Sequence, residues 1–374
     1  MTIRVGVAGV AGMGMFHVLT FGAHEGAELT ALCDVWPKAL DSAGGAAPDA
    51  KRFTDFAEMC AADVVDAVVI ATPNAFHIEA VTTALEAGLH VYCEKPLANT
   101  VGDCRALAEL AERHGRAAQI GFQHRFQHGY ASAKRIVAAG GIGPLRRADM
   151  RATAWFRPNA YFAKRAWRAS WEQAGGGVLM MQAIHQLDSY LWITGAPTRV
   201  TAHAWSARPD VQVEDDVYAV LEFGDAARGM LSASTLDPGG LNRLEFAGDT
   251  GALHVDPDFL RRAEWDEPTS TMLIERTNLF EPVQVAWNDV APSGDAMTYD
   301  DSVKACQRDF LDAIEQGRAP SVDPVEATRS VEVANAVYLS AVTGEPVTLP
   351  LDAASYEEAF RKMCADELKL PEAR

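Results

Sequence analysis

Apolar and polar positions follow two different patterns along this chain, and the change comes near residue 125. Before it, short apolar, β-branched runs stand at Ile3–Gly9, Leu29–Cys33, Ala67–Ala71, His90–Cys93 and Ala117–Gly121. Alanine-rich stretches with helical spacing lie between them, among them Ala75–Ala87 and Val101–His114, closed by Gly88 and Gly115 as helix stops are. Strands alternating with helices of this length predict right-handed crossovers and a parallel sheet covered on both faces.

Beyond residue 125 the spacing predicts a helix over about 129–139, stopped by Gly140-Gly141, then a strand over Leu145–Phe156. The triplet Gly175–Gly177 opens a helix predicted to run through about Trp192. Strand-like runs follow without helices between them, at Arg199–Ser206, Val217–Phe223, Arg228–Ser234, Arg243–Gly248 and Gly251–Val255. Consecutive strands on short connections predict a mostly antiparallel sheet. Helices near 301–316 and 325–343 come last, and the acidic segment after Leu351 is expected to be mobile. The expected fold is α/β over residues 1–124, a doubly wound parallel sheet of Rossmann type. An α+β domain with a mostly antiparallel open sheet is expected over 125–374, joined to the first by a tight hinge.

Length and composition narrow the function. A chain of 374 residues accommodates two such cores. No run approaches 18 apolar residues, so no membrane span is expected, and the N-terminus shows no leader pattern. A formal charge of −18, with no cluster of lysine and arginine, argues against nucleic-acid binding. Six cysteines without a C-x-x-C pair suit reduced thiols in a cytoplasm, and no metal-ligand spacing is present.

The strongest motif is Val5-Gly6-Val7-Ala8-Gly9-Val10-Ala11-Gly12-Met13-Gly14, which follows the first strand and opens a helix. Small residues there let backbone approach a pyrophosphate, which then sits on free amides and the positive end of the helix dipole. In the register Gly9-Val10-Ala11-Gly12-Met13-Gly14, the middle glycine of G-x-G-x-x-G is Ala11, with Gly12 beside it. Twenty residues beyond Gly14, at the end of the second strand, Asp34 can accept from a ribose diol and repel a 2′-phosphate. That favours NAD over NADP. Val35-Trp36-Pro37 bring no arginine for a phosphate, and Lys38 is the next cation. A nucleotide-free turn would explain the glycines but not Asp34 in register.

Three further segments resemble the glucose–fructose oxidoreductase/inositol dehydrogenase (Gfo/Idh/MocA) family, and the likeness covers most of the chain. They are Ala71-Thr72-Pro73-Asn74 with His77; Glu94-Lys95-Pro96; and the run from Gly175 to Asp188 that contains Met181, Gln182 and His185. The resemblance implies that Thr72, Pro73, Asn74 and His77 line the nicotinamide side of the cofactor, with Glu94 and Lys95 close by. It also implies that Lys95 hydrogen-bonds the reacting oxygen and that Pro96 follows a cis bond. A lysine beside a nicotinamide cation would have its ammonium disfavoured by burial and like charge. The plain alternative, an ion pair with Glu94, is awkward because neighbours on a strand point to opposite faces.

Members of the family carry an aspartate four residues before the histidine; here that position is Met181, so no dyad forms at that spacing. His185 remains the candidate base, with Asp188 three residues on as a structural or orienting carboxylate. A satisfied structural histidine is the alternative. The resemblance puts Gln123 near the nicotinamide amide, Arg125 near the domain junction, and Trp167 and Arg168 in a cofactor-closing element. The stretch Trp155-Phe156-Arg157, Tyr161-Phe162 and Trp167-Arg168 reads as a sugar or polyol wall, with Arg157, Tyr161, Gln182, His185 and Lys95 as substrate contacts. A core strand with an oligomer contact is the competing reading.

The expected activity is hydride transfer between NAD and a secondary alcohol or ketone carbon of a sugar, inositol or related cyclic polyol. The protein is expected to be a homodimer or homotetramer with no metal, membrane or nucleic-acid partner. The rival readings are a trans-dihydrodiol or other non-sugar dehydrogenase on the same scaffold, and a non-catalytic dinucleotide-binding sensor, which Met181 favours.

Overall fold

The computed structural model describes residues 2–257, 259–291 and 297–370. Its chain divides into two compact units that are not contiguous in sequence. The first comprises residues up to 122 with 172–175 and 303–331; the second comprises 123–171, 176–302 and the residues from 332 onward.

The first unit opens with β1 (Ile3–Ala8), α1 (Met13–Gly22), β2 (Ala27–Cys33), α2 (Pro37–Ala46), β3 (Lys51–Phe53) and α3 (Phe56–Ala61). It continues with β4 (Ala67–Ile70), α4 (His77–Glu86), β5 (His90–Cys93), α5 (Val101–His114) and β6 (Ala118–Ile120). Among the described residues these strands form a six-stranded sheet in the order β3-β2-β1-β4-β5-β6, with every pairing parallel. All four residues of β4 are buried, as helices on both faces of a parallel sheet require. Later in the chain, Cys306 accepts hydrogen bonds from Gln119 Nε2 at its carbonyl (2.9 Å) and from Tyr92 at its thiol. These contacts give residues 303–331 to the first unit, where the division expected at 124/125 is contiguous.

The elements that follow are α6 (His128–Ala138), β7 (Leu145–Ala152), α7 (Asn159–Ala163), α8 (Trp171–Ala174), α9 (Val178–Met181) and α10 (Ile184–Thr194). Next come β8 (Arg199–Trp205), β9 (Asp216–Phe223), β10 (Ala227–Ser234), β11 (Asn242–Gly248), β12 (Gly251–Val255), β13 (Leu260–Glu264), α11 (Thr269–Glu275) and β14 (Ala286–Asp289). The chain closes with α12 (Tyr299–Gln316), α13 (Pro324–Thr343), β15 (Val347–Thr348) and α14 (Ala353–Cys364). Among the described residues the second sheet has nine strands in the order β14-β13-β12-β11-β7-β10-β9-β8-β15. It is antiparallel except where β10 runs parallel to β7. Helix α10 packs on β7, and the Tyr190 hydroxyl donates to the Ala148 carbonyl at 2.9 Å. A Cβ at Gly229 would come within 2.4 Å of that hydroxyl, so the strand carries glycine there.

Three expectations are corrected. The helix predicted from the glycine triplet to about Trp192 is two helices, α9 and α10, because the Ala183 amide reaches back five residues to Val178 O at 2.8 Å, a wide turn. The strand predicted to reach Phe156 ends at Ala152. The segment after Leu351 is helix α14, which buries Tyr356, Ala359 and Met363.

Candidate active site

In a parallel sheet the carboxyl ends of all strands share one edge, so residues directly after β1, β2, β4 and β5 meet there. Backbone amides lock that edge: Gly9 N to Cys33 O, Ala71 N to Ala8 O and Glu94 N to Ile70 O, each 2.9 Å. The turn Gly9–Gly14 then lies across it. Gly9 has φ of +80°, and a Cβ there would press to 2.8 Å from Ala71 O; a Cβ on Gly14 would collide with Gly9 O. Gly12, at φ +61°, meets nothing within 4 Å. Helix α1 starts there with no side-chain cap and no acidic residue in its first turn. Uncapped amides facing open space are what a pyrophosphate needs. Asp34 accepts from Val10 N at 3.0 Å and Trp36 N at 2.9 Å, tying the turn to the end of β2. A carboxylate offers about four acceptor sites, so capacity remains for a ribose diol. The turn and Asp34 fit a dinucleotide.

The turns after β4 and β5 are joined through His77, which is fully buried. Its Nδ1 lies 2.7 Å from Pro96 O and its Nε2 2.9 Å from Thr72 O. Burial pushes the His77 pKa down, against the pull of those two carbonyls. The Thr72 hydroxyl is buried and makes no hydrogen bond among the described residues, a free group beside the cofactor turn. Asn74 donates to Ala174 O at 2.9 Å. The Lys95–Pro96 bond is cis.

Glu94 faces His17 of α1, whose Nε2 is 2.8 Å from Oε1. Gln307 donates to His17 Nδ1 at 2.8 Å, so the ring carries its proton on Nε2 and donates it to Glu94. Glu94 Oε2 in turn accepts the Lys95 amide at 3.3 Å. Burial alone would push the Glu94 carboxyl up; the hydrogen bond from His17 and the charge of Lys95 hold it below its ordinary value. A Cβ at Gly121 would come within 3.1 Å of that carboxylate.

The second unit carries the remaining residues. Gln182 sits in the wide turn between α9 and α10 and donates to the Tyr161 hydroxyl at 2.8 Å. His185 follows in the first turn of α10 and stacks on His124 with ring centroids 4.7 Å apart. Because of the wide turn, the helical rule that would set Met181 above His185 does not apply. Asp188, expected as a possible orienter of His185, is held by Arg125 through Nε and Nη2, each at 2.7 Å, both side chains being buried. It is a structural ion pair. Gln123 donates to the Tyr299 hydroxyl at 2.8 Å.

Two guanidinium groups approach the Tyr161 ring, Arg168 at 4.0 Å and Arg157 at 5.1 Å from its centroid. The indole N–H groups of Trp155 and Trp167 and the Nε atoms of Arg157 and Arg168 are buried and make no hydrogen bond among the described residues. Donors in that state call for acceptor oxygens. Sequence reasoning missed the residues that hold this wall, Glu214, Asp215 and Arg208. The sequence shows them only as three consecutive carboxylates, Glu214-Asp215-Asp216, before an apolar strand, a pattern that ordinarily marks a solvated turn.

Comparison with known proteins finds two family models. One, described as "Oxidoreductase family, NAD-binding Rossmann fold", matches residues 3–122, and one described as "GFO/IDH/MocA C-terminal domain" matches residues 130–254. Inositol 2-dehydrogenase 1 of Saccharopolyspora erythraea is 30% identical over 313 residues, 79% of this chain and 88% of that protein. The scyllo-inositol 2-dehydrogenase (NAD(+)) of Bacillus subtilis is 26% identical, covering 93% of this chain and 96% of its own. Among solved structures, the aldose-aldose oxidoreductase of Caulobacter crescentus, complexed with glycerol, superposes with a TM-score of 0.78 at 25% identity, over 93% of this chain and all of that one.

Proposed function

This chain belongs to the Gfo/Idh/MocA family of NAD-binding oxidoreductases, and from that premise we infer that it oxidises a secondary alcohol of an inositol, sugar or related cyclic polyol. The observation that carries the reading is the carboxyl edge of the first sheet, where the open amides of α1 and the turn bearing Lys95 stand at the ends of strands in one parallel sheet. Gly9, Ala11, Gly12, Met13 and Gly14 hold the pyrophosphate, Asp34 the adenosine ribose, and Thr72, Pro73, Asn74, His77 and Glu94 flank the nicotinamide. Gln123, Trp167 and Arg168 complete the cofactor contacts. NAD, when bound, supplies the hydride acceptor.

Lys95 donates a hydrogen bond to the substrate hydroxyl oxygen, which stabilises the negative charge that develops there as the carbon loses hydride. His185 takes the hydroxyl proton. Arg157, Tyr161 and Gln182 bind the remaining hydroxyls, a role supported by the unpaired donors around Tyr161. A cytoplasmic setting is supported by cysteines that are all free thiols, and cell fractionation checks it. Self-association is supported by the apolar open face of the second sheet, where Tyr218, Val220 and Met230 are exposed.

The test follows reduced nicotinamide by absorbance, with NAD or NADP and a panel of inositols, sugars and anhydrosugars. NAD-dependent turnover of a polyol is expected, with kcat/KM falling roughly 10²–10⁴-fold in Lys95→Met and in His185→Ala. Turnover surviving His185→Ala moves the proton acceptor elsewhere. Turnover of dihydrodiols alone selects the non-sugar reading. NADH binding without turnover on any substrate would leave the sensor.

A further inference from the structure

Two adjacent buried carboxylates, Glu214 and Asp215, are each about 1% exposed or less, and neither has a part in the chemistry above. Glu214 takes three successive amides at the start of α9. Gly177 N donates to Oε2 at 2.6 Å, Val178 N to the Glu214 carbonyl at 3.0 Å and Leu179 N to Oε1 at 2.9 Å. The Tyr338 hydroxyl donates to Oε1 at 2.9 Å. The glycines before α9 permit this approach: a Cβ at Gly177 would sit 1.9 Å from Glu214 O, and one at Gly176 would sit 2.2 Å from the Tyr338 hydroxyl. One residue therefore fixes the start of the short helix α9, which ends at Met181, directly before Gln182.

Asp215 faces the other way along the chain. It accepts from Ala207 N and Thr235 Oγ1, each at 3.1 Å, and pairs with the Arg208 guanidinium. Arg208 then reaches the loop that leads into α7, the helix bearing Tyr161. It donates to the Arg157 carbonyl and to Asn159 Oδ1 (2.8 Å), and lies 5.0 Å from the Phe162 ring centroid. The two lines of contact close on each other where Gln182 Nε2 meets the Tyr161 hydroxyl at 2.8 Å.

We propose that Glu214 and Asp215 are a pair of positioning residues that set the Gln182–Tyr161 contact, and through it the enzyme's affinity for its polyol. Glu214 acts by fixing α9, and Asp215 by fixing, through Arg208, the loop at Arg157 and the start of α7. The proposal rests on the reading of Tyr161 and Gln182 as substrate contacts. A guanidinium held by a buried carboxylate spreads its donors in a rigid fork, so the loop is placed by geometry rather than by charge alone.

The experiment is a double-mutant cycle on the purified enzyme, with steady-state KM and kcat for the best polyol and for NAD. Asp215→Asn and Glu214→Asp are each expected to raise the polyol KM about tenfold, with KM for NAD within about twofold of wild type. Asp215→Asn combined with Tyr161→Phe is expected to cost no more than the larger single effect, because both break one contact. Arg208→Lys, which keeps the charge but loses the fork, is expected to reproduce Asp215→Asn and serves if that variant does not fold. Strictly additive effects, or carboxylate variants that leave the polyol KM unchanged while Tyr161→Phe raises it, overturn the positioning role alone. Tyr161→Phe and Gln182→Ala both leaving the polyol KM unchanged overturn the substrate-wall reading instead.

Discussion

A carboxylate buried with only neutral hydrogen-bond partners makes its protein sensitive to pH. Burial, partly offset by the amides of Leu179 and Gly177, pushes the Glu214 pKa up from its ordinary 4.5 to about 7. The titratable groups packed against it, Tyr338 and Tyr356, are themselves pushed well above the usual tyrosine range and stay neutral across that window. Unfolded, Glu214 releases its proton near 4.5; folded, it keeps the proton to about 7. Between those values the native state binds the extra proton, so stability falls as pH rises through the window and levels off above it. The difference amounts to about 3 kcal/mol across the window. Urea unfolding at intervals from pH 5 to 8 is expected to show that decline in the wild type and a flatter profile in Glu214→Gln. Equal slopes in the two proteins would remove Glu214 as the cause.

At the scale of elements, the turn after β5 is held from two helices far apart in sequence. Gln307 of α12 fixes the proton of His17 on Nε2; His17 of α1 holds Glu94, and Glu94 holds the Lys95 amide. Gln307→Leu removes the donor on Nδ1, frees the ring to take its other tautomer and sets a lone pair against the carboxylate. The loss of one buried hydrogen bond of this kind is of order 1–3 kcal/mol, so kcat is expected to fall roughly tenfold while NADH affinity holds. Unchanged kcat in that variant, with thermal unfolding followed alongside, would show that Lys95 needs no such support. None of this chain was legible in the sequence, since His17 and Gln307 are 290 residues apart. The strands of the first sheet were legible because burial on both faces writes them as unbroken apolar runs, Ala67–Ile70 most clearly. The edge strand Lys51–Phe53 was not, being short and largely exposed, nor was Leu260–Glu264, whose two arginines mask its alternation. Helix α14 was hidden because its buried Tyr356, Ala359 and Met363 are spread among charged residues. The positions of Thr72 and Lys95 just past strand ends, and of His77 at the start of the next helix, could be read directly. Glu214 and Asp215 could not, because carboxylates between strands ordinarily mark a solvated turn.

For the whole molecule, the second sheet presents an open face that one chain leaves uncovered. Alternation along β9 and β10 turns Tyr218, Val220 and Met230 outward, each about half exposed, and Met230 pairs across strands with Val220 and Asp149. Neighbouring rows carry Arg151, Arg243 and Glu245. An apolar centre bordered by both signs of charge is self-complementary, as a two-fold interface must be. We take its occupant to be a second copy of this chain. Two copies with a formal charge of −18 each repel, so apolar burial has to outweigh that repulsion and added salt has to strengthen the association. Among the described residues no helix is long and apolar enough to cross a membrane. Light scattering at micromolar concentration is expected to give a dimer or tetramer, shifted toward larger species as salt rises from low ionic strength. Met230→Glu, placing a charge in the apolar centre of that face, is expected to return the mass to that of one chain. A wild-type monomer under all these conditions would leave the face without a partner of its own kind.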